Sequence, residues 1–205
     1  MILDITAPLS PALAVWPGDV GFTRVVSLRH ADGAVVELSA ITTTLHAGTH
    51  ADAPAHILPG AEPIDQVGLS PYLGPCEVIE VALPPGARIL PEHLPGPARA
   101  PRVLFKTGSY PDSGRFRETF NALSPELIHH LHGQGCVLLG LDTPSVDPFA
   151  SVALESHQAL FQHGLRCLEG LVLGHVPPGL YTLVALPLKI AGGDGSPVRA
   201  VAVLD

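Results

Sequence analysis

Proline and glycine set the first limit on what this chain can fold into. Its 205 residues hold 22 Pro and 21 Gly, spread along the whole length rather than clustered. Each Pro removes a backbone donor and each Gly weakens a helix or strand interior, so long regular elements are excluded. What remains is a series of short apolar runs between turns, the pattern of a strand-rich domain. Runs rich in Val, Ile and Leu predict strands over Val35–Ile41, Glu77–Ala82, Val103–Thr107, Val137–Asp142, Tyr181–Leu186 and Val198–Leu204. Two segments predict helices. In "LSPELIHHLHGQG", Ser124 is a natural N-cap, Pro125 suits the first helical position, Leu123 and Ile128 can form a hydrophobic staple, and Gly133 or Gly135 ends the helix. In "ESHQALFQHG", Ser156 is the expected cap and Gly164 the expected terminator. The expectation is a single α/β domain over residues 1–205, with a mixed sheet and few helices.

Charge narrows the partners. Hydrophobic residues make up 46% of the chain and charged residues 15%, with a net charge of -8. That is ample material for a core and little for covering a surface, so a homodimer or higher homo-oligomer is expected. No run of Lys or Arg exists to neutralise phosphates, which argues against nucleic acid and against an anionic membrane surface. Apolar runs such as "CVLLGL" fall far short of the ~20 residues of a membrane helix. The N-terminus has no basic region typical of a signal peptide. Cys76, Cys136 and Cys167 are odd in number and widely spaced, which reads as reduced core thiols in a cytoplasmic protein.

The segment "TLHAGTHADAPAHI" places His46, His50, Asp52 and His56 within eleven positions. All four are even-numbered, so in extended chain they face one side. A straight strand would nevertheless hold His46 and His56 roughly 33 Å apart. The segment must therefore fold back, and Gly48 and Pro54 are the residues that allow or fix a bend. Imidazole and carboxylate are preferred ligands of Zn²⁺ and similar ions. His46, His50 and Asp52 make a first coordination shell, and His56 could stand beyond it as general base and acid. One segment offers too few ligands for two ions. His157 and Glu169 are candidates from elsewhere, although Glu169, between Leu168 and Leu171, reads equally as a solvent-facing strand residue or as a buried anion in need of a cation. His129, His130, His132, His163 and His175 read as solvated helix or turn residues without a role.

The spacing His46-x-Gly48-Thr49-His50-x-Asp52-x-Pro54-x-His56 resembles the signature of the metal-dependent cyclase-type hydrolases. "VWPGD", "FKTG", "GLDTPSVDP", "SHQALFQHGLRCLEGLVL" and "PPGLYTLVALPLKIAGGDGSPVRAV" extend the likeness over nearly the whole chain, toward the bacterial kynurenine formamidase (arylformamidase) branch. The resemblance implies a swivelling β/β/α fold, a homo-oligomer and two Zn²⁺ per subunit, with Mn²⁺ or another divalent ion as an option. It implies His46, His50 and Asp52 on the first ion, Asp52 also on the second, His157 on the second, and Glu169 bridging both. His56 would move protons, and Trp16 would contact substrate. The implied reaction is hydrolysis of N-formyl-L-kynurenine to L-kynurenine and formate in tryptophan degradation.

Three rival readings remain. A cyclase-family amidohydrolase acting on another amide, such as isatin, is the nearest. A metal-free serine hydrolase using Ser145 or Ser109 lacks a Gly-x-Ser-x-Gly elbow. A structural or storage metal protein would favour a closed, Cys-rich shell, and this ligand set has no Cys.

Overall fold

A computed structural model describes residues 1–204. In chain order the strands and helices are β1 (Ile2–Asp4), β2 (Thr23–Leu28), β3 (Leu38–Thr42), β4 (His50–Asp52), β5 (Leu73–Glu80), β6 (Arg88–Ile89), β7 (Arg102–Lys106), β8 (Ala122–Leu123), α1 (Pro125–Gly133), β9 (Leu138–Leu141), α2 (Glu155–Gln162), β10 (Arg166–Glu169), β11 (Gly179–Val184), β12 (Gly195–Pro197) and β13 (Val201–Val203). Nine strands form one mixed sheet in the order β1-β13-β11-β5-β7-β9-β10-β4-β12. Its centre, β5-β7-β9-β10, is parallel, and the strands flanking that centre pair antiparallel. The expected class is present: a mixed sheet with two α-helices among the described residues.

The parallel centre is covered on both faces, which explains its continuous apolar runs. Side chains alternate across it. Val103, Phe105, Leu139, Leu141 and Cys167 join the layer built with α1 and α2. Leu104, Leu138 and Leu168 point the other way, into a core shared with Tyr72, Val78 and Leu183. Cys76, Cys136 and Cys167 are all buried and free.

Both helices lie where the sequence places them. Ser124 caps α1, its side chain accepting from the Leu127 amide at 3.1 Å. Gly135 and Gly164 follow the helices with φ of 86° and 69°. The cap of α2 differs from expectation. Ser156 lies inside the helix and donates its hydroxyl to the Leu123 carbonyl. The Asp147 carboxylate takes over the capping, accepting from the Ser156 and His157 amides at 3.0 Å each. A side chain from the preceding loop thus satisfies the orphan donors of the first turn.

Several strands escape the apolar-run reading. β4, β10 and β12 contain His, Asp, Arg, Glu, Gly and Pro in three- or four-residue pieces. Their strand character comes from pairing. β2 and β3 form a separate hairpin whose apolar residues Val25, Leu38 and Ile41 are exposed.

Candidate metal centre and active site

The site begins with register. β4 lies between β10 and β12, with Glu169 opposite His50 and Gly195 opposite Asp52. Alternation along β4 sends His50 and Asp52 to one face and Ala51 into the core. Cross-strand pairing puts Glu169 on the same face as His50. Two short strands thereby gather three ligand-type side chains, all buried.

The turns around β4 are tightly specified. Gly48 adopts a left-handed φ of 60°, which bends the chain before the strand. Gly170, at φ 63°, follows Glu169 so closely that a Cβ there would sit 2.0 Å from the Gly48 carbonyl oxygen. Thr49 ties the layers together, donating to the Gly170 carbonyl at 2.6 Å and accepting from the Ala7 amide at 2.8 Å. After β4, Pro54–His56 forms one 3-10 turn. The fold-back expected of this segment is present: the rings of His46 and His56 have centroids 4.2 Å apart.

His157 reaches the cluster from the first turn of α2. Its Nε2 lies 3.2 Å from Asp52 Oδ2 and 3.3 Å from Glu169 Oε1. His50 Nε2 lies 3.3 Å from both Asp52 Oδ1 and Glu169 Oε2. The outer nitrogens of both rings are already engaged. His157 Nδ1 is 2.8 Å from Asp147 Oδ2, and His50 Nδ1 is 3.0 Å from the Gly48 carbonyl oxygen. Because those oxygens can only accept, each ring carries its neutral-form hydrogen on Nδ1 and aims Nε2 inward.

His46 borders the cluster, with Nδ1 2.8 Å from Asp52 Oδ1 and Nε2 3.1 Å from Asp194 Oδ2. His56 stands at the rim, its Nδ1 3.6 Å from the same Asp194 oxygen. Two triads of donors, His50-Asp52-Glu169 and His46-Asp52-His56, are each close enough to hold an ion, and Asp52 belongs to both.

The buried acids and imidazoles of the cluster shift one another's protonation. Burial pushes the Asp52 carboxyl up, but His157, His46 and His50 outweigh burial and hold it well below the usual range. Burial and the Asp52 charge push Glu169 up, while His157 and His50 bring it below its ordinary value. Burial alone would lower His50; hydrogen bonds and charge from Asp52 and Glu169 instead raise it to about 10. His157 is likewise raised against burial by Asp147, Asp52 and Glu169. Without another cation, the carboxylates are balanced only by protons on imidazoles. Two buried carboxylates facing imidazole nitrogens whose far sides are already bonded fit a divalent ion better than a proton.

Above this floor lies a cavity of about 720 Å³ lined by His46, His50, His56, His157, Glu169 and Asp194, and also by the aromatic rings of Trp16, Phe116 and Phe149. Trp16 lies there in the same chain as the histidines, 5.0 Å from Phe149 and 5.3 Å from Phe116 between ring centroids. The "LDTPSVDP" loop also contributes. Asp142 lines the cavity, accepts from the Thr107 and Gly108 amides, and so fixes the "FKTG" turn beside it. The Val146 amide donates to Glu169 Oε1 at 2.7 Å.

All the residues singled out by sequence therefore line one cavity: His46, His50, His56, His157, Glu169 and Trp16 directly, and Asp52 in its floor. Glu169 is the buried anion and not the solvent-facing strand residue. Sequence reasoning missed Asp147 and Asp194. Asp147 sits ten residues before His157 and shows itself only through contact, and Asp194, in "GGDGSP", gives the signal of a turn.

A mixed sheet that gathers buried imidazoles and carboxylates at the floor of a cavity offers donors suited to a divalent metal ion, an arrangement of enzyme type. Residues 3–148 match the family described as putative cyclase, and the chain belongs to that family. It is similar over nearly its whole length to bacterial kynurenine formamidases; that of Salinibacter ruber is 46% identical over 208 residues, spanning 98% of this chain and 96% of the relative. A solved structure described as a potential metal-dependent hydrolase with cyclase activity superposes with a TM-score of 0.83 at 28% identity, covering 98% of this chain and 96% of its own. Isatin hydrolase A from Labrenzia aggregata, bound to benzyl benzoate, superposes with a TM-score of 0.81 at 25% identity, covering 100% of this chain and 94% of its own.

Proposed function

We propose that this chain hydrolyses N-formyl-L-kynurenine to L-kynurenine and formate as a metal-dependent arylformamidase. One observation carries the reading: side chains of the buried donor cluster and the aromatic rings of Trp16, Phe116 and Phe149 line a single cavity. Kinship with proteins named kynurenine formamidase supports the choice of substrate.

His46, His50 and Asp52 would hold one Zn²⁺, and Asp52, His157 and Glu169 a second, with Glu169 shared between them. When bound, such ions lower the pKa of a water toward ~7 and polarise a carbonyl oxygen. The chain's own groups supply the rest. Trp16, Phe116 and Phe149 receive the aryl ring and orient the formyl group toward the donor floor. His56, exposed at the rim, takes the proton of the attacking water. As the C–N bond breaks, it returns that proton to the aryl nitrogen, which leaves as the amine while the formyl carbon leaves as formate. Asp194 Oδ2 lies 3.6 Å away on the Nδ1 side of His56, which leaves Nε2 for the transfer. Replacing Trp16 with Ala should raise KM about tenfold, on the order of the 1.4 kcal/mol that a lost aromatic contact is worth. An unchanged kcat/KM would remove Trp16 from the substrate site.

The protein is proposed to work in the cytoplasm as a homodimer or higher oligomer. Among the described residues no helix is long and apolar enough to cross a membrane. The exposed apolar side chains of the β2–β3 hairpin, Val25, Leu38 and Ile41, suit a subunit contact.

The deciding experiment pairs metal analysis with a formylkynurenine assay before and after chelation. Activity should vanish with the metal and return with Zn²⁺. Chelator-resistant turnover would remove the metal from the reaction. Inertness toward formylkynurenine together with ring opening of isatin would transfer the chain to the second reading, which the isatin hydrolase likeness favours.

A further inference from the structure

A second group of imidazoles lies outside the cavity. The helices α1 and α2 pack through Leu127, Ile128, Leu131, Leu160 and Phe161. Three histidines meet at the edge of that contact: His129 and His132, about one turn apart on α1, and His163 at the C-cap of α2. His163 Nε2 lies 2.7 Å from His129 Nδ1, and the ring of His132 stacks on that of His163 at 4.4 Å and 22°. His129 and His132 are exposed and His163 is half-buried.

The close nitrogen pair can hold only one proton between its two atoms. A second would set N–H against N–H. At least one nitrogen of the pair therefore presents the lone pair of an uncharged imidazole, the form that binds metals. His130, next in the chain, is engaged elsewhere, its Nε2 2.7 Å from Gln134 Nε2. Among the described residues His132 makes no side-chain hydrogen bond that turning its ring would break.

We propose that His129, His132 and His163, brought together where α1 crosses the end of α2, form a second metal site for an imidazole-preferring divalent ion such as Zn²⁺, Ni²⁺ or Cu²⁺. Tetrahedral coordination at ~2.0–2.1 Å per nitrogen sets two ligand nitrogens roughly 3.3 Å apart. The His129–His163 pair, at 2.7 Å, needs to open by about 0.6 Å to admit an ion in place of its shared proton. Surface side chains make that adjustment by small χ rotations. His132 turns from the face of His163 to supply a third nitrogen, and water completes the shell. The ion would join the C-terminal end of α2 to α1. Because α2 carries His157 at its other end, the site braces the helix that serves the cavity without entering the chemistry.

The test titrates Ni²⁺ calorimetrically into the protein as purified, with its resident metal in place. The parent should bind one further Ni²⁺ per chain and gain thermal stability from it. His163→Ala and His129→Ala should each lose that equivalent, and His130→Ala should keep it. All three variants should retain the parent's hydrolytic rate, which also shows that they fold. Absence of the further equivalent in the parent, or its survival in both His163→Ala and His129→Ala, would overturn the proposal and leave a hydrogen-bonded pair that merely pins two helices.

Discussion

The floor of the cavity and its rim are built by opposite means. On the floor, the side chains of His50, Asp52, His157 and Glu169 are between 1% and 4% exposed. Strand register sets two of them opposite each other, and each imidazole has a second partner on its outer nitrogen. At the rim, His56 is 32% and Asp194 51% exposed, and they meet at only 3.6 Å. A single 3-10 turn and a loop hold them. Ligands must present fixed lone pairs, whereas a group that carries protons must exchange them with solvent and follow the substrate. The difference in burial follows that division of labour.

Substitutions can break the contrast in order of expected effect. Asp52→Ala should be the most severe. It removes the carboxylate shared by both donor triads, so metal content and turnover should both fall to background. Two tightly held ions per chain in that variant, measured by elemental analysis, would deny Asp52 its bridging position. His56→Ala should lower kcat by ~10²–10⁴-fold while metal content stays at the parental level. Loss of metal on a normally folded chain would move His56 from the rim to the floor. Asp147→Asn should weaken metal affinity by ~10–100-fold, since it disturbs the orientation of His157 and the first turn of α2 and loses the Arg88 ion pair without touching the donor cluster's own carboxylates. Competition with a chelator measures it, and parental affinity would show that packing alone orients the ring.

The smallest effect is one of pH and belongs to the metal-depleted protein. His50, raised to about 10 by Asp52 and Glu169 against the effect of burial, takes up a proton more readily when folded than when unfolded. That contribution is fully present below ~6.5, the unfolded value, and is lost as pH rises through the folded one. The melting temperature of chelated protein should therefore fall between neutral pH and pH about 10. Metal-loaded protein, whose His50 is already neutral, should fall less over the same range. Parallel curves would mean that His50 is uncharged in both forms.

Some of this was legible in advance. The strands expected over Val103–Thr107 and Val137–Asp142, observed at Arg102–Lys106 and Leu138–Leu141, were legible because burial on both faces leaves an apolar run. The α1 cap was legible because its parts are local: Ser124 accepts from the Leu127 amide three residues on, and Pro125 takes the first helical position, where no N–H is needed. The α2 cap was misread because Ser156 sits at the right place in sequence, whereas Asp147, from a folded-back loop, reaches the same amides. Glu169 could be read two ways because a carboxylate among leucines looks the same on either face of a strand. The histidines of α1 and α2 looked solvated one helix at a time, and only the crossing of the helices brings their rings together.

By itself the sequence determined the parts whose physics is local: where helices start, which runs alternate or bury, and that a segment bent at Gly48 and Pro54 turns four ligand-type side chains to one side. The tertiary structure decided which carboxylates those side chains meet. Pairing Glu169 with His50, docking His157 against Asp52 and bringing Asp194 to His56 depend on strand register and helix packing. Those are fixed by burying apolar surface between segments a hundred or more residues apart, a balance that no short stretch of chain contains.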